Sequence, residues 1–361
     1  MILGQSLVSL IVQALESSIR GPLPQSIRAT TDLPVGDEGR NQGRIMKAES
    51  PNVLESVHLS GYQRRDLEVV DYRMRELAGT GLQFRGPFPK DFGDGAYFTC
   101  IGAAQTLGCF CEVPYPALLE ERTGLPALNL GYGGAGPEFF AHQPPLQDYV
   151  RRGKFAVIQV MSGRSQSNSL FECGGLEYLM RRSDGRRLGA DEAYQDLLSG
   201  PAALRRVGRV GRRAARVIAF PRVCRVVEET RRAWVANYRK LLHEIGCPTV
   251  LLWFSKRVPD YVEDTRSLRG LFGEFPQLVT RPMVEEVAAM CTEYVECVTA
   301  HGSPQPLFSR FTGEPVTVDP AKDRPDLGKG EPWTHNQYYP SPEMHAAAAA
   351  ALMNAIGSYV S

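Results

Sequence analysis

Phe155-Ala-Val-Ile-Gln-Val-Met161 is an apolar run interrupted only by Gln159, and it empties at once into the polar loop Ser162-Gly-Arg-Ser-Gln-Ser-Asn-Ser169. A run this short and this apolar, ended by small polar residues, reads as a strand buried on both faces. Upstream, Tyr97–Ile101 and Ala127–Leu130 have the same character; downstream, Thr249–Phe254 shares it, and Tyr294–Val298 does so more weakly. Helical spacing marks Tyr115–Arg122, Pro137–Arg151, Val226–Ile245 and Arg281–Thr292 between them, and Glu343–Tyr359 after the last. Strands alternating with helices predict a parallel sheet covered on both sides, a doubly wound α/β domain. Ligands in such a sheet meet the carboxyl ends of the strands at the switch point. The loops after the first three strands are therefore where chemistry is expected.

The composition, 43% hydrophobic and 22% charged, is that of a globular chain and excludes a collagen, a coiled coil or a wholly disordered protein. Residues 1–60 are expected to be a poorly ordered N-terminal extension, because Gly, Pro, Ser and charge fill 20–60 without periodicity. Residues 61–361 are expected to be one α/β domain carrying an Arg-rich helical insertion at about 170–225. The net charge of +1 hides a cancellation. Residues 201–240 hold twelve Lys or Arg against Glu228 and Glu229, a local +10 balanced by −9 elsewhere. Arg205, Arg206, Arg209, Arg212, Arg213 and Arg216 are candidates for contact with a polyanion, or else a solvated helix face. Aromatic residues are sparse there, so nucleic acid is not an expected partner.

No apolar run approaches the ~20 residues of a membrane span. The N-terminus lacks a basic segment ahead of its apolar stretch, so no secretory signal is expected. Together with eight cysteines, several of them inside apolar runs, this favours a cytoplasmic protein with reduced thiols. Cys109-Phe-Cys111 has no second pair at zinc-ligand spacing, so neither a metal nor a cofactor is expected.

The loops after the strands are Gly102-Ala-Ala-Gln-Thr106-Leu-Gly108, Asn129-Leu-Gly-Tyr-Gly-Gly-Ala-Gly136 and Ser162–Ser169. His335-Asn-Gln-Tyr-Tyr339-Pro-Ser-Pro-Glu-Met-His345 precedes an alanine-rich helix. Together these blocks resemble the SGNH (GDSL-type) hydrolase and acyltransferase superfamily over roughly residues 95–358. The resemblance implies a three-layer α/β/α sandwich around a five-stranded parallel sheet in flavodoxin-like order. It also implies a nucleophile in the first block, oxyanion donors in the second and third, and the acid and base of a triad in the last. Asn129, Gly131 and Gly134 stand where the second block puts them. The departures fall on the chemistry: Ala104 replaces the serine, Asn336 the acid and Tyr339 the base. The third block keeps no Gly-x-Asn-Asp, though Asn168 is close enough in sequence to reach the same cleft. More closely, the chain is similar to an uncharacterised bacterial family sharing the Gly-Ala-Ala-Gln-Thr, Asn-Leu-Gly-x-Gly-Gly-Ala-Gly-Pro and Met-Ser-Gly-Arg-Ser segments, which assigns no activity.

Alanine offers no nucleophile, and tyrosine, with an ordinary pKa of about 10, is a poor base at neutral pH. The leading expectation is an enzyme that transfers or hydrolyses acyl groups on carbohydrate through a non-standard site, its substrate a small molecule or glycan of anionic character. Arg164, Tyr339, Asn336 and His335 are the candidate catalytic residues, with Ser162, Ser165 or Cys100 as replacement nucleophiles. Gly102, Gln105, Thr106, Asn129, Gly131, Gly134, Ser162, Ser165 and Asn168 are the candidate binding residues. One alternative is a non-catalytic polyanion- or glycan-binding protein on the same scaffold. The other is a sulfotransferase-like site, because Ser162–Ser169 resembles a phosphosulfate-binding loop. Arg164, placed straight after a buried strand, needs a partner: Glu138, another carboxylate at the sheet top, or a substrate anion. Arg85 reads either as an anion clamp or as half of an ion pair, and His345 either as a packed helix-start residue or as a base.

Overall fold

The computed structural model describes residues 63–206, 208–319 and 332–360, so the expected extension over 1–60 lies outside the described residues. Five strands, β1 (Phe98–Gly102), β2 (Ala127–Gly131), β3 (Ala156–Gln159), β4 (Thr249–Ser255) and β5 (Glu293–Val298), lie side by side in the order β5-β4-β3-β1-β2. Every neighbouring pair is parallel. Five helices complete the frame: α1 (Tyr115–Thr123), α2 (Pro144–Arg152), α3 (Gly208–Ile245), α4 (Arg281–Ala288) and α5 (Pro342–Val360).

Successive side chains of a strand point to opposite faces, and the core divides accordingly. Ala156 and Ile158 of β3 share a buried cluster with Leu146 of α2, Trp234 and Tyr238 of α3 and Val284 of α4. Val157, between them, belongs to the opposite cluster with Leu119 of α1 and Leu352 of α5. Leu251 and Trp253 of β4 follow the first set, while Val250, Leu252 and Phe254 follow the second. Helices therefore cover both faces, which is why these strands are apolar at nearly every position. β5 is the exception. It sits at the sheet edge with only Cys297 buried, and its apolar pattern is correspondingly weak.

The chain goes from β1 out to β2 and then returns past β1 to β3, so the loops after β1 and β3 part at a switch point. Two predicted helices differ from the structure. Pro137–Arg151 is interrupted, with a short helix at Pro137–Ala141 and then α2, because Pro144 and Pro145 bring no N–H to a continuous ladder. α3 starts at Gly208 rather than Val226 and runs through Pro221. The buried row Ala219, Val223, Val226 and Val227 holds it together where propensity alone reads as a break.

The helical insertion expected at 170–225 is corrected. It begins as an antiparallel sheet of three short strands, Phe171–Glu172, Tyr178–Arg181 and Arg187–Gly189, followed by a helix at Ala190–Ser199. Leu179 and Leu188 turn into a small core with Tyr194 and Phe272, whereas Tyr178, Met180 and Arg187 point the other way. Strands this brief leave too little alternation to read. Packing groups Gly200–Ile218 into a unit separate from His58–Ser199 and Ala219–Ser361.

Candidate functional site

A rigid frame stands at the carboxyl ends of β1 and β2. Gly102 leads from β1 into a single turn of helix, Ala104–Leu107, which lies against the end of β2. That approach demands glycine: a Cβ at Gly131 would fall on the backbone of Leu107, and one at Gly102 on the Thr106 hydroxyl and Gln159. Asn129 fastens the two strand ends. Its Nδ2 donates to the Thr106 carbonyl at 2.9 Å, and its Oδ1 accepts from the Gly131 N–H at 2.9 Å. Gln159, the one polar residue of β3, accepts from the Ala103 N–H at 3.0 Å and from the Thr106 hydroxyl at 2.8 Å. Gly102, Thr106, Asn129 and Gly131 thus hold the frame, and their side-chain polar groups are used within the protein.

A pocket of about 40 Å³ opens above this frame. Ala103, Ala104 and Gln105 line it from the β1 loop, and Gly134 and Ala135 from the β2 loop. Ser162, Arg164 and Ser165 come from the β3 loop, and Phe275 and Gln277 from the long loop after β4. Glu177, Tyr338 and Tyr339 complete the wall. The structure therefore brings together Gln105, Gly134, Ser162, Arg164, Ser165 and Tyr339 among the expected residues. Asn168 belongs elsewhere: it donates to the Thr230 hydroxyl and accepts from the N–H groups of Leu170 and Phe171, shaping its own turn. Gln277, Phe275, Tyr338 and Glu177 were not expected. Gln277 lies more than twenty residues beyond β4, where no spacing in the sequence ties it to the sheet top.

Of the residues weighed for acyl-transfer chemistry, Ser162, Ser165, Arg164 and Tyr339 line the pocket. Ala104, which the SGNH resemblance aligns with a nucleophilic serine, lines the pocket with a methyl group. Asn336 is a turn former: its Oδ1 accepts from the N–H groups of Tyr338 and Tyr339, and its Nδ2 donates to Gln305 and to the Tyr339 carbonyl. His335 is exposed, hydrogen-bonded through Nδ1 to the Thr334 hydroxyl, and does not line the pocket. His345 is fully buried between Tyr115 and Phe254, and its Nδ1 accepts from the Tyr115 N–H at 3.2 Å. Burial, with Arg85 adding to it, pushes His345 down to about 3, too weak a base for work at neutral pH. Cys100 is buried within β1, and burial raises its thiol far above the ordinary range, which removes it as a nucleophile.

The arginines are also assigned. Arg164 pairs with Asp191 at 2.7 Å, not with Glu138, whose carboxylate accepts from the N–H and the hydroxyl of Ser167. Arg85 forms no ion pair among the described residues. Its guanidinium donates to the carbonyls of Leu107, Gly108, Cys111 and Glu112, and so clamps the chain that follows the frame. Among the described residues, no three His, Cys, Asp or Glu side chains group as a metal site, and no helix is long and apolar enough to cross a membrane. All eight cysteines are free thiols.

A family model described as Domain of unknown function (DUF6473) matches residues 61–184 and 216–325. The chain belongs to this family. The DUF6473 segments contain the loops after β1, β2, β3 and β4, and with them Gln105, Ser162, Arg164, Ser165 and Gln277. Tyr338 and Tyr339 lie beyond the second DUF6473 segment, and Arg205–Arg213 fall between the two. A search of curated proteins found no match.

Proposed function

We propose that this protein binds carbohydrate without covalent chemistry, on an SGNH-like scaffold whose narrow pocket receives a small end group such as a hydroxymethyl or an acetamido methyl. The observation that carries this reading is the lining. Gln105, Ser162, Ser165, Gln277 and Tyr338 are neutral groups, each able to donate and to accept, and the Glu177 carboxylate adds an acceptor, which is what sugar hydroxyls and amides require. Arg164 already has Asp191 as its counter-ion. Gln277 donates to the Tyr338 hydroxyl at 3.1 Å, while its buried carbonyl oxygen has no partner among the described residues. Leaving such an acceptor unmet costs about 1–3 kcal/mol, a cost that a ligand hydroxyl or N–H would remove once the amide turns its oxygen into the pocket. For the SGNH-like scaffold, the support is the strand order, the Asn129–Gly134 loop at the end of β2, and the Asn336–Pro340 turn ahead of α5.

Calorimetric titration with chitotetraose, a neutral acetamido oligosaccharide, tests the reading. Binding should weaken about tenfold in Gln277→Ala, the effect of one buried hydrogen bond. Covalent capture of Ser162 or Ser165 by a fluorophosphonate, with hydrolysis of an aryl acetate ester lost in Ser162→Ala, would restore the enzyme reading.

A second contact is favoured by the segment Ala202–Val217. Arg205, Arg206, Arg209, Arg212, Arg213 and Arg216 are all exposed, and none forms an ion pair among the described residues. Such a row suits a polyanion held by screened Coulomb attraction. Retention on heparin should fall to that of a neutral control when the six become Gln; unchanged retention removes the contact.

A further inference from the structure

The narrow pocket holds only a few atoms, so the body of any saccharide must lie outside it, and a second cavity adjoins it. This cavity, of about 640 Å³, lies over the antiparallel sheet and falls within the size range of ligand sites. Glu177 lines both spaces, and Gly133 of the larger one precedes Gly134 of the smaller. Strand alternation sends Leu179 and Leu188 into the core and leaves Tyr178, Met180 and Arg187 for the cavity side.

Its charges are unequal in their commitments. Arg181 is met by Asp184 and Asp196, and Arg182 by Glu172. Arg187 forms no ion pair among the described residues; its guanidinium lies 4.0 Å over the ring of Tyr178, which holds it in place while its charge stays unmatched. Tyr132, Leu176 and Met180 give the cavity an apolar floor of the kind that takes the C–H face of a sugar ring.

We propose that this cavity is a subsite for an acidic oligosaccharide, with a hexuronate carboxylate on Arg187, an acetamido N–H or a hydroxyl donating to Glu177, and the end group in the narrow pocket. This rests on the carbohydrate reading of that pocket. The guanidinium and a carboxylate form a charge-assisted hydrogen bond, which is stronger than a neutral one. Glu177 at the junction repels an anion there, so the acid must sit toward Arg187.

The test compares two probes on the full chain by calorimetry: the hyaluronan tetrasaccharide, which alternates glucuronate with N-acetylglucosamine, and the neutral chitotetraose. The charged probe should bind about tenfold more tightly. Arg187→Ala should bring the ratio of affinities to within about twofold of one, and Arg187→Lys should restore part of it. Arg187 is exposed, and an unchanged circular dichroism spectrum confirms that the variants fold. Equal affinities in the wild type, or a ratio unmoved by Arg187→Ala, overturn the subsite and leave the narrow-pocket reading intact. Absence of binding by either probe overturns both.

Discussion

The two sides of the narrow pocket are made differently. On the β1 and β2 side, Thr106 and Asn129, joined by Gln159 of β3, spend their hydrogen bonds on backbone, on Tyr115 and Gln105 and on one another, and glycines bring the chain into contact. On the β3 and β4 side, among the described residues, Ser162 only accepts from the Arg164 N–H at 3.3 Å, and Gln277 keeps a buried oxygen without a partner. In the proposed function the first side positions, and the second, joined by Gln105, reads the ligand. The SGNH resemblance would place a nucleophile on the first side, at Ala104; the proposed binding function places recognition on the second.

If this division is right, changes behind and within the frame should cost stability, and changes on the reading side should cost affinity. The largest effect is expected behind the frame, at Asp66. Enclosed with Tyr72 and Cys109, its carboxyl is pushed by burial from 3.8 up to about 8. The folded chain therefore keeps a proton that the unfolded chain loses between those values, so stability falls as pH rises from about 4 to about 8. Asp66→Asn, measured by urea melts at pH 5 and pH 9, should abolish that fall and exceed the wild type at pH 9 by on the order of 5 kcal/mol. A wild-type curve flat across the range contradicts it.

Gly131→Ala comes next. Its methyl group meets the backbone of Leu107, which cannot step aside, so about 3 kcal/mol or outright misfolding is expected in the same melts. Gln277→Ala should leave the unfolding free energy within about 1 kcal/mol of the wild type and still lower saccharide affinity about tenfold. Smallest is Asp191→Asn. The carboxylate is mostly exposed, so loss of its bridge to Arg164 should change stability by no more than about 1 kcal/mol, and less at high salt. A large loss there would move Arg164 from the reading side into the frame.

The sequence exposed the frame more readily than the reader. Apolar strands and the glycines at 102 and 131 are local features, and the order of loops after β1, β2 and β3 followed from alternation alone. The roles of Asn129 and Thr106 did not follow, because a polar side chain in a loop looks the same whether it meets a ligand or a neighbouring strand. His335 and Asn336 show the same ambiguity: adjacent in sequence, one is exposed and the other is buried in a turn. Gln277 reaches the pocket through a long loop, and the sheet carrying Tyr178 and Arg187 is built of strands two to four residues long. Neither leaves a periodicity to detect.

The central claim is that the pocket above the frame seats the end group of a saccharide through hydrogen bonds, with Gln277 among its partners. Saturation-transfer NMR of chitotetraose tests it most directly, since each acetamido methyl reports its own contact with the protein. The expected result is saturation strongest at the methyl of one terminal sugar and lost selectively in Gln277→Ala. Weak, uniform saturation along the oligosaccharide that the substitution leaves unchanged would contradict the account.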